Sequence, residues 1–418
     1  MSSLMKRYGA VLSAVVFLAG AVFLSMKTEG KTGTLQTESR PPASAGIFGE
    51  NSSAPAASGD EMRAVWVPYM SLAMNGEKDQ SETAFHKKFD AIVSGAKEKG
   101  LNTLIVHVRP FGDALYPSQY FPWSHILTGT QGVNPGYDPL EYMVKAAHAA
   151  GLKIHAWVNP LRIQTSSTPS ILAQSNPYSR WKEEGVKGWT VQLDSGIYYN
   201  PAYPKVRELI ANGVKEIVEK YDVDGIQFDD YFYPTESSVF DTGSYGAYLS
   251  QANKSGSALG LSEWRQANIN ALVSLTYKEI KEAKPKVVFG ISPQGNIQND
   301  LKMGADVVSW CSAGGDIDYI CPQVYYNFEN PVLPFDTAVK QWRELVTHSG
   351  VKLYYGLALY KAGSDADSGT WQKFSDILSK QVQLARQSGG SGFMFYSWDY
   401  FNSDQTKEEV QNVIKLLN

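Results

Sequence analysis

"VDGIQFDDYFYP", residues 223–234, decides how this chain is read. Ile226 and Phe228 alternate with Gln227 and Asp229, the period of two that separates the faces of a β-strand. Two carboxylates follow side by side, Asp229 and Asp230, and the rings of Tyr231, Phe232 and Tyr233 run on to Pro234. If the apolar pair packs outward on helices, Gln227 and Asp229 face the other way, with Asp229 at the C-terminal lip. An unpaired carboxylate buried there is costly, so it must meet a cation, a donor or a substrate. Neighbouring acids raise each other's pKa, which is one way to keep a proton available near neutral pH. For Asp230 a loop cap or an arginine partner stands beside the catalytic reading.

Working outward, seven further β-rich runs share this character: 63–69, 101–110, 152–160, 287–293, 317–326, 352–360 and 392–398. Amphipathic helical stretches lie between them at 82–99, 138–150, 204–220, 262–284, 336–349 and 371–388, and a last one lies at 407–417. The segment 300–313 carries the weakest helical pattern. Eight strand–helix units in succession predict a (β/α)8 TIM barrel over residues 61–418. The competing doubly wound sheet lacks a Gly-rich phosphate loop after its first strand. The βα segments 110–137, 160–203 and 231–261 are long while connections such as "EKG" and "AAG" are short. In such a barrel the βα loops build the active-site face, so long ones predict an elaborated cleft for an extended substrate.

The other strand ends carry polar and aromatic residues of one parity. Strand two offers His107 and Arg109, then Asp113; strand three offers His155, Trp157 and Asn159, then Arg162. Strand six offers Gln323 and Tyr325, and strand eight Trp398 and Asp399. Rings that stack on a sugar's apolar faces, with amides and charges that fix its hydroxyls, suit a carbohydrate site. The expected substrate-binding set is therefore His107, Arg109, Trp157, Asn159, Arg162, Tyr231, Gln323, Tyr325 and Trp398. His107 and His155 each have a plainer reading as hydrogen-bonded barrel-core residues. No His-x-His opens strand one, which disfavours a metal amidohydrolase, and no catalytic metal or cofactor is expected. No G-x-S-x-G elbow occurs, so serine nucleophile chemistry has no support.

Composition narrows the classes further. A chain of 418 residues, 43% hydrophobic, can bury a large core. Its net charge of -4 comes with no basic stripe, which argues against a nucleic-acid partner. Cys311 and Cys321 are the two cysteines, too few for a disulfide framework or a cysteine-rich zinc site; they read as buried thiols, with pairing in an oxidising compartment as the alternative. At the N-terminus, Lys6 and Arg7 precede the apolar run 8–26, the layout of an export signal that just reaches the length of a membrane span. Residues 1–26 are read as a signal peptide or membrane anchor and 27–60 as a flexible linker rich in Ser, Thr, Gly, Pro and Ala. Either way the positive flank places the barrel outside the cytoplasm, secreted or anchored to the outer face of the membrane, which it touches through this segment alone.

Six segments in order, "HVRPFGDALYPS…PWS", "HAWVNPLRI", "NPAYPKVRELI", "DGIQFDDYFYP", "GISPQGN" and "CPQVYY", resemble the glycosyl-hydrolase-like family ten of bacterial extracytoplasmic barrel proteins. The resemblance spans roughly residues 60 to 400. It implies a (β/α)8 glycosidase fold, with members that cut peptidoglycan glycan strands stripped of their peptides, and it puts that family's strand-four acid pair on Asp229 and Asp230. The lipoprotein cysteine of that family is absent here. A fainter likeness to the chitinase signature D-G-x-D-x-D-x-E matches Asp224 and Asp229, but Gln227 and Tyr231 replace its second acid and its glutamate.

The expected chemistry is hydrolysis of a glycosidic bond by two carboxylates through an oxocarbenium-like transition state. Asp229 is the candidate nucleophile or electrostatic stabiliser, and Asp230 its partner or the acid. Adjacent strand residues point apart, so Asp113, Glu329 and Asp399 stand as further candidate acids. If the substrate carries an N-acetyl group, its own carbonyl is a candidate nucleophile, with Asp229 and Tyr325 orienting it. The non-enzymatic alternative is a cell-wall glycan-binding protein on a degenerate barrel, retaining Trp157, Tyr231 and Trp398 and needing no acids.

Overall fold

The computed structural model describes residues 60–252 and 256–417. The segments read as export signal or anchor and as linker lie outside these residues, apart from Asp60. Among the described residues no helix is long and apolar enough to cross a membrane.

The strands are β1 (Met62–Val67), β2 (Thr103–Arg109), β3 (Lys153–Val158), β4 (Arg162–Thr165), β5 (Thr190–Leu193), β6 (Gly196–Tyr199), β7 (Gly225–Phe228), β8 (Val288–Ile291), β9 (Tyr319–Ile320), β10 (Lys352–Leu353), β11 (Tyr355–Leu357) and β12 (Gly392–Phe395). Nine of them form one parallel sheet in the order β10-β9-β8-β7-β3-β2-β1-β12-β11. Its two end members are consecutive pieces of one run, parted by Tyr354 alone. Because β10 pairs with β9 and β11 with β12, the ends meet and the sheet closes. A bridge between Gln323 and Gly356 strengthens the seam. The eight expected strand positions are thus all filled, and the chain folds as a TIM barrel.

Alternation along the strands builds two cores. Inward residues, among them Trp66, Ile105, Trp157, Tyr319, Cys321, Tyr354 and Met394, fill the barrel axis. Outward residues such as Val65, Val106, Ile154, Ile226, Phe228, Phe289 and Phe393 join the larger core under the helices. Helix Pro204–Lys220 shows why the helices dock: Val206, Ile210, Val214 and Ile217 recur at helical spacing on one buried stripe, and Pro204 opens its first turn. The segment 300–313 resolves into two short helices, Ile297–Lys302 and Val307–Ala313. The long connection after β3 holds a separate antiparallel sheet of order β4-β6-β5.

The floor of the axis is polar and satisfied. Trp66 Nε1 donates to Gln227 Oε1 at 2.5 Å, Gln227 Nε2 donates to the Tyr319 hydroxyl at 3.2 Å, and that hydroxyl meets His155 Nδ1 at 3.0 Å. His155 is therefore a core residue. Tyr319 fits because β8 presents Gly290 beside it: a Cβ at that position would stand 2.1 Å from the ring. Gly290→Ala is accordingly expected to lower stability by about 1–3 kcal/mol through overpacking. An unchanged urea midpoint in that variant would show that the ring can move aside without cost.

Candidate active site

Asp229 follows β7 directly and lies at the C-terminal mouth, as its inward parity requires. It is 3% exposed. Its Oδ2 accepts from Trp157 Nε1 at 2.9 Å and from Asn159 Nδ2 at 3.2 Å, and its Oδ1 accepts the Tyr231 backbone N–H at 3.3 Å. Burial pushes its pKa up to about 7; the Asp230 charge adds to this, while Arg162, Trp157 and the Tyr231 N–H oppose it. Asp230 is half-buried. Gln323 Nε2 donates to its Oδ1 at 3.0 Å and to the Ser292 carbonyl at 3.1 Å, so the amide fixes the acid to the loop after β8. Burial raises the Asp230 pKa too, against the Gln323 bond and Arg162. Its own backbone N–H also opposes the rise, and among the described residues no other residue donates to its second oxygen. Both carboxyl groups are thus held above the ordinary carboxylate range, and the charge of Asp230 is one cause of the rise at Asp229.

Arg162 is the cation of the mouth. Its Nε and Nη2 donate to the Pro110 carbonyl at 3.0 and 2.9 Å, and its guanidinium lies between the Phe111 ring at 5.0 Å and the Tyr231 ring at 4.8 Å. Tyr231 is exposed at 45%, so its free face is open to a ligand. His107 is buried and stacks on Trp157 with centroids 3.6 Å apart; Tyr69 meets its edge at 5.6 Å. Burial, helped by Arg162, holds the His107 pKa well below its usual value, so the ring is neutral. Opposite, Tyr325, Tyr360 and Tyr396 lie within 6.0 Å of one another by ring centroid. Tyr396 also meets Trp157 edge-on at 6.5 Å.

The structure therefore brings together Asp229, Asp230, His107, Trp157, Asn159, Arg162, Tyr231, Gln323 and Tyr325. It does not bring Arg109 or Trp398 to them. A register shift between β2 and β3 pairs His107 with Trp157 but Arg109 with the outward Val158. The irregularity turns Arg109 out of the axis, under helix Pro204–Lys220, where its guanidinium lies 4.4 Å from the Phe121 ring. It is buried, and burial lowers its pKa. Trp398 lies past the end of β12 in a 3-10 turn, and its ring packs outside the barrel against Phe401 and over Gly95, with the Lys99 amine 5.5 Å from its centroid. Tyr396 takes the inward place instead.

The other candidate acids are engaged elsewhere. Asp113 is fully buried, its Oδ2 3.5 Å from Gln131 Nε2 and 3.6 Å from His125 Nδ1. Asp399 binds the Ser71 hydroxyl with both oxygens at 2.8 Å. Glu329 is exposed and paired with Lys373 at 2.5 Å. Asp224 sits at the opposite end of β7, bonded to His148 at 3.0 Å, so the chitinase-like match falls on the foot of the barrel. Sequence reasoning missed Tyr69, Tyr360 and Tyr396. For Tyr396 the signal was present: its parity in "GFMFY" matches that of the inward Met394. Among the described residues no group of three or more His, Cys, Asp or Glu side chains could hold a metal ion, and Cys311 and Cys321 are buried free thiols.

The family model described as "Glycosyl hydrolase-like 10" matches residues 61–373. "Glycosyl hydrolase YngK" of Bacillus subtilis (strain 168) is 33% identical over 348 residues, which are 78% of this chain and 66% of that relative, just under two thirds of its length. "Glycosyl hydrolase DigH" of Escherichia coli (strain K12) is 31% identical over 370 residues, 82% of each protein. Among solved structures, the PgaB (BpsB) glycoside hydrolase domain from Bordetella bronchiseptica superposes with a TM-score of 0.56 at 13% identity, covering 86% of this chain and 99% of that one. The endo-beta-1,4-mannanase from Thermotoga petrophila gives 0.52 at 12% identity, covering 85% and 76%. At such identities the two structures speak for the fold alone.

Proposed function

We propose, from the premise that the chain belongs to the glycosyl hydrolase-like 10 family, that it is a glycoside hydrolase acting on peptidoglycan glycan strands stripped of their peptides. The observation that carries the reading is the carboxylate pair. Asp229 is buried and held by three N–H donors, while Asp230 beside it is half-buried at the mouth and takes a single side-chain donor, Gln323. In this reading Asp230 delivers the pair's proton to the departing glycosidic oxygen. Asp229 stabilises the positive charge that grows at the anomeric centre. Arg162 and Tyr231 flank the sugar, and Trp157 with Asn159 fixes Asp229 rather than touching substrate first. The basic flank and apolar run of residues 6–26 support an extracytoplasmic location, where such strands are found.

The test is direct. The purified full chain is incubated with peptide-free glycan strands and the products are separated by mass. Fragments that have each gained the elements of water are expected. Strands that stay intact yet remain bound to the protein would replace this reading with a glycan-binding one.

A pH dependence follows from the pair. The working form holds one proton, and Asp229, with a pKa of about 7, marks where that proton is lost. Turnover is expected to fall as pH rises through the neutral range, with a midpoint near 7. A rate that climbs from pH 6 to pH 9 would contradict a proton shared by these acids.

A further inference from the structure

We propose that the substrate's own 2-acetamido carbonyl attacks the anomeric carbon, so that the substrate class is a 2-acetamido-2-deoxy glycan and no protein carboxylate forms a bond to the sugar. The inference rests on the glycosidase reading and deepens it. A retaining site with a protein nucleophile needs a second carboxyl group about 5–5.5 Å from the acid, and an inverting site needs one about 6.5–9.5 Å away with room for water. Asp229 is poorly placed for either role. It is 3% exposed, with two N–H donors on Oδ2 and one on Oδ1, so bonding to carbon would cost it those donors, whereas accepting one more N–H at Oδ1 would not.

The other acids do not supply the missing group. Asp113 is sealed in its loop, Asp399 is tied to Ser71, and Glu329 is paired with Lys373 at the surface. Asp300, whose pKa rises chiefly by burial and partly through the Asp230 charge, is 2% exposed with one oxygen on the Gln294 backbone N–H. Of these carboxylates Asp230 alone is half-buried at the mouth, with Gln323 as its one side-chain donor. The chemistry then needs a nucleophile from the substrate, and an acetamido carbonyl stands one bond from C2 of the reacting sugar.

The protein supplies what that route requires. Asp229 Oδ1 accepts a single N–H, so it has capacity for the acetamido N–H. As that bond forms it favours the ionised Asp229, and the pair's proton moves to Asp230. Tyr325, whose hydroxyl makes no hydrogen bond among the described residues, is placed with Tyr360 and Tyr396 to orient the acetamido group. In the first step the carbonyl oxygen bonds to C1 as the C1–O bond to the leaving group breaks. The departing oxygen takes the Asp230 proton, and the nitrogen keeps its own, giving an oxazolinium ion beside the Asp229 anion. Water then attacks C1 and gives a proton to Asp230, and the C1–O bond to the acetamido carbonyl opens to restore the acetamide. The sum is one glycoside plus one water, with configuration retained.

The experiment uses the full chain and peptide-free strands that have been N-deacetylated and re-acylated, one batch with acetyl and one with trifluoroacetyl. Fluorine withdraws electron density from the carbonyl oxygen that must attack. Acetyl strands should be cut as the untreated ones are, and kcat on trifluoroacetyl strands should fall by at least ~100-fold. Equal kcat on both would overturn the inference and leave the glycosidase reading standing. No cleavage of untreated strands would remove that reading, and the inference with it. Intact-protein mass in mid-reaction gives a second readout: an unchanged mass is expected, and a protein heavier by a glycosyl unit overturns the proposal.

Discussion

Asp230→Asn is expected to slow cleavage of peptide-free glycan strands by roughly 10²–10⁴-fold, the loss that follows removal of a positioned general acid. The side chain keeps its shape, and its remaining oxygen can still accept from Gln323 Nε2. Folding and strand binding should therefore stay close to those of the parent. The diagnostic lies in the leaving group. A sugar alkoxide cannot depart without a proton, whereas a dinitrophenolate needs none. On a dinitrophenyl glycoside of the same sugar the variant should keep most of the parent kcat/KM, which reports bond cleavage, while kcat falls because water has lost its base. Equal losses on both substrates would take the acid role from Asp230 and reopen the search among Asp113, Glu329 and Asp399. Gln323 gives an internal control. Its amide positions Asp230 without meeting the glycosidic bond, so Gln323→Leu should lose less and shift the pH profile as well as the rate.

How much of this was legible in the sequence depends on where alternation holds. β7 shows it best: Ile226 and Phe228 are packed outward and Gln227 and Asp229 inward, as the period of two requires. The helix over 204–220 and the three long βα segments follow from the same patterning. Alternation fails where the backbone gains a residue or a strand stops. At Arg109 the register shift after His107 reverses the face, and nothing in "IVHVRP" marks it. At Trp398 the strand has already ended at Phe395, so parity counted three residues further has no meaning. Tyr69 lies beyond Pro68, in a short helix that strand parity does not reach. The missed and misplaced residues thus sit at strand ends, where side-chain direction is set by turns and by neighbouring strands.

Asp229→Asn carries the second large effect, and it separates catalysis from stability. An amide cannot balance positive charge at the anomeric centre or hold the acetamido N–H as an anion does, so kcat should fall by several orders of magnitude. The dinitrophenyl glycoside should not rescue it, because leaving-group protonation is not what has been lost. Stability should move the other way with pH. The folded protein holds the Asp229 proton up to about pH 7, whereas the unfolded chain releases it near 3.8. Between those values the folded state binds more protons, so this group's contribution to stability is full below the unfolded value and is lost as pH rises to the folded one. Asn does not titrate, and the loss disappears with the carboxyl. At ~1.4 kcal/mol per pKa unit, the stability of Asp229→Asn relative to the parent should improve by a few kcal/mol between pH 4 and pH 8. One N–H donor, that of Tyr231, would face the new amide nitrogen and lose its acceptor at a cost of about 1 kcal/mol. That cost is the same at both pH values and leaves the slope untouched. Urea unfolding at pH 4, 6 and 8 measures the slope. Parallel curves for variant and parent would mean that Asp229 is ionised at an ordinary pKa, and a buried carboxyl that titrates normally could not share a proton with Asp230.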